Sequence, residues 1–303
     1  MNSIERGTVV VLTRNHRARL LRTLKTLQAL PEGWPIIVVD NGSTDGTARA
    51  VGRHFPAVLL IRSRRNIGAA ARNIAVAYAH TPYIAFTNDD SHWEPGALFR
   101  AAHLMDSDSD IAVVNACVKD AGTGRTHPNC MDMLRHPLSG DHDSGMPVFG
   151  ILPDACVLRT RAFYEAGGVW PPLFEDGEEV LLALDLAQRG WRMVYREDVV
   201  NWREVSPISS PARRLRLRNL IWTAWMRLPF KLAWRETVLH LKAASSVSQL
   251  QTVLLTAIMG TGKVLKRRRV VSPSVAQMWS QRYQYAFHSA DELQPATSRQ
   301  SMV

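Results

Sequence analysis

The sequence predicts an α/β fold, with a mostly parallel sheet covered by helices on both faces and an amphipathic helical extension behind it. Two observations carry that expectation. Short apolar runs of strand length alternate with stretches whose leucines or alanines recur at helical spacing, the pattern of successive βα units. From Pro207 onward this gives way to leucine, tryptophan and arginine at helical spacing, the pattern of amphipathic helices. A chain of 303 residues with 46% hydrophobic content can bury a core, as one large domain or two modest ones.

Val9-Val10-Val11-Leu12-Thr13 reads as the first buried strand, and Leu20, Leu21, Leu24, Leu27 and Leu30 mark a helix behind it. Ile36-Ile37-Val38-Val39-Asp40 is the second strand. The turn cluster Asn41 to Thr47 then caps a helix running to about Arg53. Val58 to Ile61 supplies a third strand, Gly68 to Ala79 an alanine-rich helix, and Tyr83 to Thr87 a fourth strand. Pro95 to Met105 reads as a helix and Ile111 to Val114 as a strand. Residues 120–150, rich in Gly, Pro, His and Asp, read as a long loop of the kind that forms lids or binding segments. Ala155 to Leu158 is a strand, followed by a helix near Ala162, a helix from Asp176 to about Gln188, and a closing strand from Trp191 to Tyr195. The division expected is a sheet domain over 1–204, a basic tryptophan-rich helical region over 205–288, and a polar, mobile tail over 289–303.

Charge is unevenly placed. Residues 1–203 hold 22 Lys and Arg against 23 Asp and Glu, whereas 204–303 hold 15 against 4, so the formal +10 belongs to the helical end. An anionic partner follows, either nucleic acid or a membrane surface. Trp222, Trp225 and Trp234 beside arginines suit a bilayer interface, with packing against the sheet domain or a second subunit as the alternative, and nucleic acid ranks last. The apolar stretch Val253 to Met259 is far below the roughly 20 residues that span a bilayer. Cys117, Cys130 and Cys156 are an odd number without C-x-x-C spacing, which indicates neither a disulfide framework nor a zinc cluster. With no secretory segment at its start, the chain is expected in the cytoplasm, peripheral to the inner membrane face.

The acidic triplet Asn88-Asp89-Asp90 emerges where the fourth strand leaves the sheet, the edge at which open α/β sheets bind ligands. Two carboxylates beside an amide offer hard oxygen ligands to a divalent cation that also neutralises a diphosphate. The plainer reading is a turn. Asp40 ends the second strand, placed to meet a base or ribose or to close an Asx turn with Asn41-Gly42. After the third strand, the run Arg65 to Asn73 has small residues that would admit a ligand to backbone N–H groups, with Arg72 one turn inside the helix.

Together these segments resemble glycosyltransferase family 2. The resemblance runs from Val9 to about Glu204, through Thr13-Arg14-Asn15, Val39-Asp40-Asn41-Gly42-Ser43-Thr44-Asp45-Gly46-Thr47, Asn66-x-Gly68, Ala71-Arg72-Asn73, the acidic triplet, Gly167-Gly168, Gly177-Glu178-Glu179-Val180, Asp185-Leu186-Ala187 and Gly190-Trp191. It implies the GT-A nucleotide-sugar fold and an inverting, metal-assisted sugar transfer from a nucleotide-diphosphate sugar to a saccharide or lipid-linked acceptor of the cell envelope. By position it gives Thr13 and Asp40 to the nucleoside, Arg72 to the nucleotide or its diphosphate, Asn88-Asp89-Asp90 to the D-x-D site, and Asn15, Asn66 and Gly68 to binding of the nucleotide sugar. Asp90, with Asp89 as its neighbour, would hold Mg2+ or Mn2+. Asn88 stands where the family usually has Asp, and Arg203 near the place of a His that sometimes ligates the metal. The general base implied is Glu179, with Glu178 and Asp176 as alternatives; Asp176-x-x-Glu179 also reads as a capping box.

Other classes fit less well. A dinucleotide-binding dehydrogenase wants G-x-G-x-x-G after the first strand, where this chain has Thr13-Arg14-Asn15-His16-Arg17. Gly260-Thr261-Gly262-Lys263 lacks the first glycine and the Ser/Thr of a phosphate loop. A catalytically silent nucleotide-sugar binder or membrane scaffold is the alternative from a different class, and a homo-oligomer is compatible with either.

Overall fold

The structure is a computed structural model that describes residues 6–135, 137–139, 144–204 and 210–283. Strand β1 (Gly7–Thr13) leads through α1 (Arg17–Gln28) to β2 (Ile36–Asp40), then α2 (Thr47–His54), β3 (Leu59–Arg62), a 3-10 turn at Gly68–Ala70, α3 (Ala71–Tyr78) and β4 (Tyr83–Asn88). These strands lie in the order β3-β2-β1-β4 and all their pairs are parallel. Central strands covered on both faces must be apolar throughout, which is why β1 and β2 read as unbroken Val and Ile runs. Thr13 stands opposite Asp40 and Leu12 opposite Asn88, so one sheet edge collects the ends of β1, β2 and β4.

The second half holds β5 (Ser91–Trp93), α4 (Ala97–Ser107), β6 (Ile111–Asp120), α5 (Pro128–Arg135), β7 (Met146–Pro147), β8 (Ala155–Arg159), α6 (Thr160–Glu165), α7 (Glu178–Ala187) and β9 (Arg192–Arg203). Strand β8 enters between β4 and β6 and runs antiparallel to both. Strand β9 runs parallel to β6, with β5 and β7 antiparallel on it. Thus β1 to β4, β6 and β9 point one way, and β5, β7 and β8 oppose them.

Two expectations need correcting. Within 120–150, where a loop was expected, the chain forms α5 and β7. Cys130 is buried beneath β6, where the Val118 N–H donates to its Sγ at 3.3 Å, so tertiary packing orders a helix that the local composition disfavours. The closing strand also runs well beyond Tyr195, because the second half of β9 pairs with both β6 and β5.

Five helices follow: α8 (Ser210–Arg227), α9 (Phe230–Lys242), α10 (Val247–Met259), α11 (Thr261–Lys266) and α12 (Pro273–Tyr283). Helices α8, α9 and α12 share the core of the sheet domain. Leu220, Ala224, Leu228, Val271, Val275 and Trp279 join its main apolar cluster, and Trp279 meets Phe149 edge-on. Trp222 is 7% exposed and Trp225 is partly buried, so packing, the alternative kept open for these two tryptophans, is what the structure shows; Trp234 is 58% exposed. A Cβ on Gly260 would lie 1.9 Å from the Trp222 ring, so this glycine serves packing rather than a phosphate loop. Among the described residues no helix is long and apolar enough to cross a membrane. All three cysteines are free and buried. The tail expected over 289–303 lies outside the described residues.

Candidate active site

A cleft of about 720 Å³ opens at the sheet edge where β1, β2 and β4 end. The loop after β1 forms one wall. Thr13 Oγ1 donates to Asp89 Oδ2 at 2.6 Å, His16 Nδ1 lies 3.1 Å from the same oxygen, and Arg19 Nη1 lies 4.0 Å from Oδ1. The backbone carbonyl of Asp89 accepts from Thr23 Oγ1 at 2.8 Å. Both Asp89 oxygens therefore face protein partners, and this residue fixes the β4 end against α1.

Asp40 is buried. Its Oδ1 accepts from the Ser43 N–H at 2.8 Å, three residues on rather than the two of an Asx turn, and its Oδ2 lies 3.7 Å from Arg62 Nε. Asn15, left-handed at φ 57°, ties the two loops together by accepting from the Thr44 N–H at 2.8 Å. The 66–70 segment departs from the open cradle expected of it. Its N–H groups are engaged: Ile67 donates to Asn41 Oδ1, Gly68 to Asn66 Oδ1 and Ala69 to the Phe174 carbonyl. A Cβ on Gly68 would fall 2.0 Å from that carbonyl, so the small residue admits the 171–177 loop and not an anion. Asn66, Gly68 and Arg72 still line the cleft.

Asp90 is the carboxylate to test for a cation. Its Oδ1 is buried without a hydrogen-bond partner, while Oδ2 lies 3.6 Å from Arg203 Nε and 3.9 Å from Arg19 Nη1. Burial raises its pKa above the usual carboxylate value, Arg203 opposing and Asp154 and Asp89 adding to the shift. The described residues contain no cluster of three or more His, Cys, Asp and Glu arranged to hold a metal. A Mg2+-like ion, however, takes most of its ligands from phosphates and water and needs only one or two protein carboxylates. Asp90 with the neighbouring Asn88 amide meets that smaller requirement, so the residues fit the group.

Across the cleft, Arg72 is held by two acids. Its Nη2 donates to Asp154 Oδ1 at 2.6 Å and its Nη1 to Glu178 Oε1 at 3.0 Å, with the Phe86 ring 5.7 Å beneath. Asp154 Oδ2 in turn lies 3.5 Å from Arg203 Nη1. Glu178 is buried, and burial followed by the charge of Glu179 pushes its carboxyl up to about 8 against the pull of Arg72. Acidic and basic groups thus alternate from Glu178 through Arg72, Asp154 and Arg203 to Asp90.

The 171–177 loop enters α7 through strained backbone. Phe174 and Asp176 have φ of 66° and 60°, and the N-cap is Gly177 at 94°. The Asp176-x-x-Glu179 box is therefore replaced by a shorter device, in which Glu179 Oε2 accepts from the Gly177 N–H at 2.8 Å. Glu179 Oε1 accepts from Arg216 Nη1 of α8 at 2.9 Å. Asp176 also lines the cleft, its carboxyl pushed up to about 6 by burial and by the charges of Glu175 and Glu179. Residues to which the sequence does not point are Arg19, Asp154, Arg216 and Asn219. Asp154 precedes β8, and only the antiparallel direction of that strand brings its start to the edge where β4 ends.

The sequence model of the family described as glycosyl transferase family 2 matches residues 8–167, which hold β1 through α6 and the Asp90 side of the cleft. The succinoglycan biosynthesis protein ExoU of Rhizobium meliloti (strain 1021) is 31% identical over 123 residues, a match covering 39% of this chain and 35% of that protein. The N-acetylglucosaminyl-diphospho-decaprenol L-rhamnosyltransferase of Mycobacterium tuberculosis (strain CDC 1551 / Oshkosh) is 25% identical over 293 residues, covering 81% of this chain and 94% of the relative. Among solved structures, the mannosyltransferase PcManGT from Pyrobaculum calidifontis, in complex with GDP-Man and Mn2+, matches with a TM-score of 0.54 at 19% identity, over 95% of this chain and 88% of that one. That likeness is one of fold, the GT-A arrangement. With the family model matching more than half of its length, over the strands that build the cleft, the chain belongs to glycosyl transferase family 2.

Proposed function

We propose that this chain transfers a sugar from a nucleotide-diphosphate donor to an acceptor hydroxyl, with inversion at the anomeric carbon and assistance from a divalent cation. One observation carries the reading: Asp90 and Glu179, a cation-competent carboxylate and an oriented base, line the same cleft. On this reading the nucleoside lies by Thr13, Asn15 and Asp40, the ribose by Asn88, and the diphosphate beside Arg203 and Arg19, with Asn66 and Arg72 lining the same cleft and Asp89 holding the wall behind them. The names of the relatives support an acceptor that is lipid-linked through a diphosphate or is a growing envelope polysaccharide. A lipid-linked acceptor would bring the enzyme to the cytoplasmic face of the membrane.

Glu179 is the general base. Arg216 and the Gly177 N–H hold one lone pair on each of its oxygens, and a carboxylate with about four acceptor positions keeps others for an acceptor hydroxyl. Removing the hydroxyl proton during attack makes a poor nucleophile competent. Attack from the face opposite the diphosphate inverts the anomeric centre in one displacement. Arg203 and Arg19, both beside Asp90, add fixed positive charge where the departing diphosphate gains negative charge. Mg2+ or Mn2+ bound at Asp90 and Asn88, with Asp89 as the neighbouring carboxylate, would supply Lewis-acid stabilisation to the same group.

Nucleotide sugars screened for thermal stabilisation with and without Mn2+ or Mg2+ test the donor, since a ligand of the native state alone raises its melting point. Glu179→Gln should keep the donor-induced shift and lower kcat by roughly 10²- to 10⁴-fold. Asp90→Ala should abolish the cation-dependent part of the shift. A donor shift without turnover on any lipid-linked or polysaccharide acceptor would favour the silent binder, and no shift with any donor would overturn the reading.

A further inference from the structure

We infer that α10, with the basic segment that follows it, is the surface by which this protein lies on an anionic lipid bilayer. The inference rests on the membrane-side location in the reading above and names the surface responsible. Helix α10 has no charged residue, and neither do its flanks from Ala243 to Gly262. Its inner face is accounted for: Val253 packs in a cluster with Leu217 and Ile221 of α8, and Ala257 lies against it. Its outer face has no such cover among the described residues. Val247, Leu250, Leu254 and Ile258 recur at helical spacing and are all exposed, as are Leu255 and Met259, the last at 84%. Single exposed leucines are ordinary, but six exposed apolar side chains on a 13-residue helix, interrupted on that face by Gln251, make a surface of the kind that marks a binding site.

Charge identifies what covers it. Immediately after the patch come Lys263, Lys266 and Arg269, all exposed. Among the described residues from 210 to 283 the single acidic side chain is Glu236, which is fully buried beside Arg235 and His240. This helical layer therefore shows solvent apolar and positive groups without a negative one. A second copy docking patch to patch would set cations against cations. Anionic headgroups over an acyl interior match both features at once, the apolar side chains entering the interface and the lysines meeting phosphates. Thirteen residues are too few to cross a bilayer, so the helix lies in its plane.

Flotation of the full chain with vesicles tests this without donor or acceptor, so its outcome is independent of whether sugar transfer is found. The protein should float with vesicles of phosphatidylcholine and phosphatidylglycerol in equal parts and stay behind with phosphatidylcholine alone at physiological salt. Leu255→Glu/Ile258→Glu and Lys263→Glu/Lys266→Glu should each reduce flotation about tenfold or more. Both pairs are exposed, so an unchanged melting temperature is expected and verifies folding. Equal flotation of both variants and the parent would overturn the inference. So would a parent that is dimeric by light scattering and becomes monomeric with Leu255→Glu/Ile258→Glu, or one retained on DNA in preference to the charged vesicles.

Discussion

Asp176 combines a left-handed backbone with a carboxyl that burial and two neighbouring glutamates push up to about 6. An unfolded aspartate titrates near 3.8, so between these values the folded chain keeps a proton that the unfolded chain has lost. Stability contributed at this position therefore falls as pH rises through that window, and below it both states are protonated and nothing is lost. Asparagine removes the charge and tolerates the left-handed conformation. Asp176→Asn is expected to melt at the same temperature as the parent near pH 4 and higher than it above about pH 6, by thermal melts across a pH series. A constant difference at all pH values would show that the carboxyl does not titrate as its surroundings dictate. At the same scale, Glu179 differs from Asp176 by being held at both oxygens, which suits a group that must keep one orientation while a proton arrives.

Helix α8 sets the geometry of Glu179, the proposed base. Asn219 is buried, and its Nδ2 donates to the carbonyls of Leu173, Glu175 and Asp176 at 2.7, 2.9 and 2.6 Å, while Arg218 steadies its Oδ1 at 2.7 Å. One side chain thus clamps the strained loop that leads into α7. Asn219→Ala removes this donor from the Glu175 and Asp176 carbonyls, while Leu173 keeps the Glu175 N–H, and should destabilise the fold by about 1–3 kcal/mol in denaturant titration. It should also lower kcat more than it raises the donor KM, because the clamp acts on the base and not on the nucleotide wall. Asn219→Asp keeps the shape without the donors, and rescue by it would refute the clamp. None of this is visible in the sequence, where Asn219 is one polar residue in an arginine-rich helix. Strands β1, β2 and β4 were legible because burial on both faces demands unbroken apolar runs, and the edge strand β3 only from its short apolar run; Asp90 and Arg72 were legible because they stand near element ends, and Glu179 through the family resemblance. Strand β5 was not, since Ser91-His92-Trp93 is held by its distant partner β9. Asp154 and Arg216 reach the cleft only through strand direction and helix packing, which no local pattern encodes.

At the scale of the whole molecule, the helices and the sheet are joined by buried polar contacts as well as by apolar ones. Arg227 Nε and Nη2 donate to the two oxygens of Asp185 at 2.5 and 3.0 Å, a bidentate pair between α8 and α7 with both partners buried. Removing one member of such a pair costs about 3–5 kcal/mol, because the other charge is left uncompensated. A domain stable by about 5–15 kcal/mol has little room for that loss together with the exposure of core apolar surface. Trp279 and Val275, both buried, belong to the same core as the strands, and Leu181 of α7 is covered by Trp222 and Met226. A fragment ending at residue 204 would retain the cleft's nucleotide wall and lose Arg216, Asn219 and Arg227 together. We therefore expect residues 1–204 to lack a cooperative thermal transition, to bind an apolar dye and to show no donor-induced shift, while the full chain melts cooperatively. A fragment that melts in one transition and is stabilised by the donor that stabilises the full chain would establish the sheet domain as an independent unit. The helical layer would then be an accessory to a self-sufficient catalytic fold, whereas the buried Arg227–Asp185 pair predicts one folding unit.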